Sequence, residues 1–166
     1  MEADAYGVKL PAFGSETLME ADAYVVKLQT YGNEPLFGDL VEGSIILNSM
    51  GQIVADEWIR ASQNYRDIRL DRWIVMPSYI RGIVLLPAQA GELAGHTLPA
   101  PSASGKPRLL SSFVAGFKAA AAKRVNLYRN QPALPLWQRN YSQTLIPDEV
   151  ALGRIRRWLQ EPSEQP

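Results

Sequence analysis

The chain contains no cysteine and a single histidine, His96. Without cysteine there is no disulfide framework and no thiolate metal site, a usage that suits a cytoplasmic protein. One histidine, set among Gly, Pro and Ala, excludes a histidine-cluster metal centre. No apolar run approaches the ~20 residues of a membrane-spanning helix, so no membrane partner is expected. The N-terminus is acidic and lacks a basic segment followed by an apolar one, so no signal peptide is expected. Net charge is absent too: 17 Lys and Arg balance 17 Asp and Glu among 166 residues.

That zero hides an asymmetry. Residues 1–103 hold 7 basic and 13 acidic side chains, whereas residues 104–159 hold 10 and 2. A basic second half on an acidic first half suits a nucleic-acid face opposite a solvated one, or a basic helix surface without a partner. The hydrophobic fraction of 46% and charged fraction of 20% are those of one globular domain with its own core.

The first 28 residues carry a repeat: MEADAYGVKL at Met1–Leu10 returns as MEADAYVVKL at Met19–Leu28. Two copies 18 residues apart are too few and too close for a solenoid. A tandem duplication, or a start codon upstream of an original Met19, accounts for them. Residues 1–18 are expected as a loose arm and 19–161 as the domain, with 162–166 a polar tail. AYVVKLQTY alternates with period 2 and predicts a first strand. NEPLFG at 33–38 predicts a turn, and VEGSIILN at 41–48 a short hairpin arm. Ser49 is expected to cap a helix whose core stripe is Met50, Ile53, Val54 and Trp58. Ala88–Lys106, rich in Ala, Gly, Pro and Ser, reads as a flexible loop inserted within the domain.

A second helix is expected from Ser111 or Ser112. Its apolar face is Phe113, Val114, Phe117, Ala120, Ala121, Val125 and Tyr128. Asn130–Pro135 breaks the chain before a short strand. Pro147, Asp148 and Glu149 open a last helix, with acids where its dipole favours them. Val150, Ile155, Trp158 and Leu159 are expected to face inward. This element order predicts an α+β fold, an antiparallel sheet with helices packed on one face.

The most informative stretch is Arg72–Pro87, RWIVMPSYIRGIVLLP. Two Val/Ile-rich runs separated by Pro77 and Ser78 predict two buried strands. Alternation puts Tyr79 and Arg81 on one face, with Ile80 and Ile83 expected off it. VMPSYIRGIVLL resembles the V-M-P-N-H-x-H-G-I-I-V signature of single-tyrosine HUH transposases, the REP-associated branch of the IS200-like family. FKAAAAKRVN is similar to that family's F-K-S-x-x-T-K-R-I-N, LWQRN with Tyr141 to its W-Q-R-N-Y, and RIRRWL to its R-I-R-R-Y-I. The blocks follow the family's order and span Ala23–Glu161.

The resemblance implies a ferredoxin-like fold and DNA transposition on single-stranded, hairpin-forming DNA, by proteins that are often homodimers. It implies a divalent metal such as Mg²⁺ or Mn²⁺ held by two His at i and i+2 on a central strand. It also implies a tyrosine nucleophile on the last helix. Here Tyr79 and Arg81 stand at the His positions, and arginine has no lone pair to give a metal. The last helix offers Ala151, Leu152 and Trp158 but no tyrosine. No metal site and no cofactor are therefore expected, and the catalytic function is expected to be degenerate. The remaining catalytic candidates are Tyr79 as a nucleophile with Arg81 as a phosphate clamp, and Tyr141, for which a half-buried sheet tyrosine is the favoured reading.

DNA binding needs only cations and polar donors. Lys118, Lys123, Arg124, Arg139, Asn140, Arg154, Arg156 and Arg157 supply them, and Trp137 and Tyr141 are candidates for base stacking. Four readings follow: a DNA-binding protein that no longer cuts, a transposase with a rebuilt site, a structural or protein-interaction module that has lost nucleic acid, and a decaying gene product.

Overall fold

A computed structural model of the chain describes residues 21–87 and 105–160. The expected arm at 1–18, residues 88–104 of the expected loop and the tail at 162–166 lie outside the described residues.

Four antiparallel strands form one sheet: β1 (Ala21–Gln29), β4 (Arg69–Met76), β5 (Tyr79–Pro87) and β6 (Ser142–Leu145), in the order β4-β5-β1-β6. β2 (Gly38–Val41) and β3 (Ser44–Leu47) make the separate hairpin expected near Val41–Asn48. The helices are α1 (Ser49–Gln63), α2 (Gly105–Tyr128) and α3 (Glu149–Gln160). This is an α+β arrangement, as the element order predicts, with the ferredoxin-like strand order that the resemblance implies.

β1 and β5 lie in the middle of the sheet and are buried on both faces, so their alternation sorts two cores. Val26, Leu28, Ile80, Val84 and Leu86 face α1 and α2. Ala21, Ala23, Val25, Ile83 and Leu85 face the other way, with Leu152 and Leu159 of α3. The helices therefore do not share one face. α1 and α2 cover the first, and α3 covers the second. Ile83, expected off the face of Tyr79 and Arg81, lies on it, as a period of 2 requires of positions two and four apart.

The first core is aromatic. Trp58 meets Phe113 and Phe117 edge-on, with centroids 5.3 and 5.0 Å apart, and Trp73 at 6.5 Å. Gly82 permits this approach. A Cβ there would lie 2.6 Å from Trp73 Cβ and 3.3 Å from Trp58.

Local details differ from expectation for physical reasons. Asn48, not Ser49, caps α1: its side chain accepts from Gly51 N at 2.9 Å. α2 begins at Gly105, six residues before Ser111, because Pro107 in its first turn has no N–H to lose. Gly105 and Lys106 thus belong to a helix rather than a loop. Tyr128 ends α2 with 58% of its surface exposed, and Val150 is 70% exposed while Leu152 is buried. α3 starts with Asp148 accepting from Ala151 N at 2.8 Å.

Candidate functional site

Arg81 lies on the central strand β5. Its cross-strand partners are Lys27 of β1 on one side and Ile74 of β4 on the other. Antiparallel partners share a face, so Lys27 and Arg81 stand side by side under α3. Tyr79, two residues before Arg81, completes the group. Lys27 Nζ sits 4.4 Å from the centre of the Tyr79 ring.

α3 is brought over this face by apolar contact. Ala21 and Ala23 are small enough to let the helix approach, and Leu152 and Leu159 fill the space with Ile83 and Leu85. An ion pair fixes its position. Arg156 Nε donates to Asp71 Oδ1 at 3.0 Å, and Nη2 donates to Oδ2. Asp71 is only 2% exposed and lies at the register shift between Leu70 and Trp73, where a bulge turns its side chain toward α3. Trp158 is thereby placed on Arg81, with the guanidinium carbon 4.1 Å from the centre of the ring. The central strand and the aromatic position of the RIRRWL block, 77 residues apart, meet face to face.

The electrostatics are one-sided. Among the described residues no carboxylate pairs with Lys27 or Arg81. The Lys27 ammonium is held below its ordinary pKa, by burial first and then by the Arg81 guanidinium. Burial raises the Tyr79 phenol above its ordinary value, with Arg81 opposing. Two buried donors here have no partner: Arg81 Nε and Trp158 Nε1. A hard divalent metal needs oxygen or imidazole donors. This group offers two cations, an indole and a protonated phenol, and does not fit one. The raised phenol also suits Tyr79 as a hydrogen-bond donor better than as a nucleophile.

The other candidates are distributed. Three basic side chains are engaged within the fold. Lys118 Nζ donates to the carbonyls of Gln138 (2.9 Å) and Arg139 (3.2 Å). Arg124 bridges Asp56 and the buried Glu57, both at 2.7 Å, which raises its pKa. Arg156 holds Asp71. Lys123, Arg139, Asn140, Arg154 and Arg157 are exposed. Lys123 on α2 and Arg154 and Arg157 on α3 stand on opposite sides of the sheet, so the basic second half is not gathered into one patch. Trp137 is core: it packs on Phe37 and Phe117 and donates Nε1 to Lys118 O at 3.2 Å, which removes it as a base-stacking platform. Tyr141 packs against the α1/α2 core and donates to Gln143 Oε1 at 2.8 Å, away from Arg81. Lys27 was not legible in the sequence, because its place depends on the pairing of β1 with β5.

No family model matches the chain. An uncharacterized protein of Haemophilus influenzae is 26% identical over 132 residues, 75% of this chain and 71% of that protein. Among solved structures, a REP-associated tyrosine transposase bound to a REP hairpin is similar with a TM-score of 0.49 at 10% identity. The match covers 84% of this chain and 65% of that one, so this chain spans less than two thirds of that protein's length. A candidate transposase of Deinococcus radiodurans is similar with a TM-score of 0.47 at 17% identity, over 93% of this chain and 96% of that one.

Proposed function

We propose that this protein binds single-stranded, hairpin-forming DNA and does not cut it. The observation that carries this reading is the contact of Arg81 with Trp158. The strand pair and the last helix, which the sequence resemblance implies as the two halves of a cleavage site, lie against each other here. Their side chains are those of an anion-binding surface rather than a metal-assisted nucleophile. Arg and Lys contact phosphates without metal or covalent chemistry. Exposed Arg154 and Arg157 lie on the same side of the sheet as Arg81; Lys123, on the other side, and Arg139 and Asn140 are further exposed candidates for contact with a strand. No cofactor is required, a homodimer is the assembly the resemblance implies, and the place of action is the cytoplasm. No helix among the described residues is long and apolar enough to cross a membrane.

The test is a cleavage assay. A labelled hairpin oligonucleotide is incubated with the protein and Mn²⁺ and resolved under denaturing conditions. The expected result is a retarded complex under native conditions with no nick and no covalent adduct. A nick lost in Tyr79→Phe or Tyr141→Phe would establish a rebuilt transposase site instead.

A second reading, a protein-interaction module, is favoured by the β2–β3 hairpin. Leu40, Val41 and Ile46 on it are exposed. A sedimentation measurement showing self-association that Ile46→Lys abolishes, with no DNA binding, would decide for it.

A further inference from the structure

The group around Arg81 has more cationic character than a sheet face needs. Lys27 and Arg81 are direct cross-strand partners, and like charges in that position are destabilising unless something compensates. Buried donors are ordinarily satisfied, yet Arg81 Nε and Trp158 Nε1 both lack an acceptor. Arg124, Arg156 and Lys118, three other partly buried cations, are each given a carboxylate or two carbonyls. Only the Lys27–Arg81 pair, among these, is left with aromatic faces alone.

We infer that Lys27, Arg81 and Tyr79, with Trp158 as the platform for the guanidinium, form a metal-free binding site for one phosphate group. A guanidinium stacked on an aromatic ring keeps its in-plane N–H edge free. Stacking also fixes its orientation, so little freedom is lost when an anion arrives. Lys27, held over the Tyr79 ring, supplies a second charge beside that edge. A tetrahedral phosphate has enough oxygens to accept from both cations and from the phenol, whereas chloride has no such geometry. The charge that a divalent metal would neutralise in a transposase is neutralised here by side chains. The proposed function bears only on the source of the phosphate, which is then a strand phosphodiester; free phosphate shares the chemistry.

The experiment follows the two unpartnered N–H groups by NMR. The ¹⁵N-labelled full chain is titrated with inorganic phosphate at constant ionic strength, and the Arg81 Nε–H and Trp158 Nε1–H signals are recorded. Both are expected to shift saturably, and chloride is expected to leave them in place. In Lys27→Gln, a half-exposed position whose backbone spectrum reports an intact fold, the affinity falls at least about tenfold, as loss of one charge-assisted contact implies. Arg81→Gln is expected to do the same. A linear shift that chloride reproduces, or a saturable one unchanged in Lys27→Gln, overturns the site. A hairpin oligonucleotide that competes with phosphate identifies a strand as the source. Phosphate binding without DNA binding keeps the site and removes the proposed function. DNA binding unaffected by Lys27→Gln, with no phosphate saturation, does the reverse.

Discussion

Arg81 and Trp158 stack at 4.1 Å across the interface between the central strand β5 and the last helix α3. Cation–π contacts contribute ~0.5–1 kcal/mol when exposed and ~2 kcal/mol when desolvated. Trp158→Phe, which keeps an aromatic face, is expected to cost under about 1 kcal/mol. Trp158→Ala removes the platform and its packing on α3's core and is expected to cost about 2 kcal/mol. A double-mutant cycle of Trp158→Ala with Arg81→Gln in chemical denaturation isolates the pair, with a coupling of ~0.5–2 kcal/mol expected. Additive losses would show that the stack holds nothing in place.

The same arginine acts on Lys27. Burial and the Arg81 charge both lower the Lys27 pKa, burial more. Arg81→Gln removes the smaller cause, so the Lys27 pKa should rise but stay below 10.5, the ordinary lysine value. A folded-state pKa below the unfolded one means that the unfolded chain binds more protons between the two. Stability from this group therefore increases as pH rises through that window. The increase should be smaller in Arg81→Gln. The Lys27 Cε chemical shift against pH measures the first effect, and denaturation midpoints across alkaline pH the second.

Gly82 is set by the close approach of Trp73 and Trp58 on the opposite face of β5. With Trp73 Cβ 2.6 Å from where its Cβ would lie, Gly82→Ala must displace backbone and ring. A loss of ~1–3 kcal/mol is expected from such overpacking, or a fall in Tm of roughly 3–10 °C at this size. Gly153 in α3 has open space around it. Gly153→Ala should therefore stabilise, by about 0.5–1 kcal/mol. A thermal melt of each variant that gave the same sign would contradict both statements.

Asp71 and Arg156 fasten α3 to the sheet. Arg156→Met leaves a buried carboxylate without its partner. With Arg156 a quarter exposed and Asp71 2% exposed, a loss of ~2–4 kcal/mol is expected. Asp71→Asn in the same chain should recover part of it. Full stability of Arg156→Met would mean that the apolar contacts of Leu152 and Leu159 suffice to seat the helix.

The β4–β5 hairpin was legible because Pro77 and Ser78 interrupt two Val/Ile runs, and α1 because Ile53, Val54 and Trp58 recur at helical spacing. Register was not, since alternation along one strand says nothing of its partner; hence Lys27 stayed hidden beside Arg81. The phase of α3 is not legible at Val150, because the helix's apolar residues are sparse between arginines and only contact with Ile83 and Leu85 selects Leu152. That α3 crosses to the other face of the sheet is likewise a tertiary outcome. It needs Ala21 and Ala23 opposite the helix and Asp71 turned by a bulge, none of which has a signal within α3 itself.

The most direct measurement is the affinity for a fluorescent single-stranded DNA hairpin across a salt series, with and without Mn²⁺ at matched ionic strength. Binding that weakens steeply, with log K falling against log salt by about 0.7 per phosphate neutralised, and identically in both series, is the predicted result. A folded sample that fails to bind at ~50 mM salt, where phosphate contacts are strongest, would contradict it, as would binding that requires the metal.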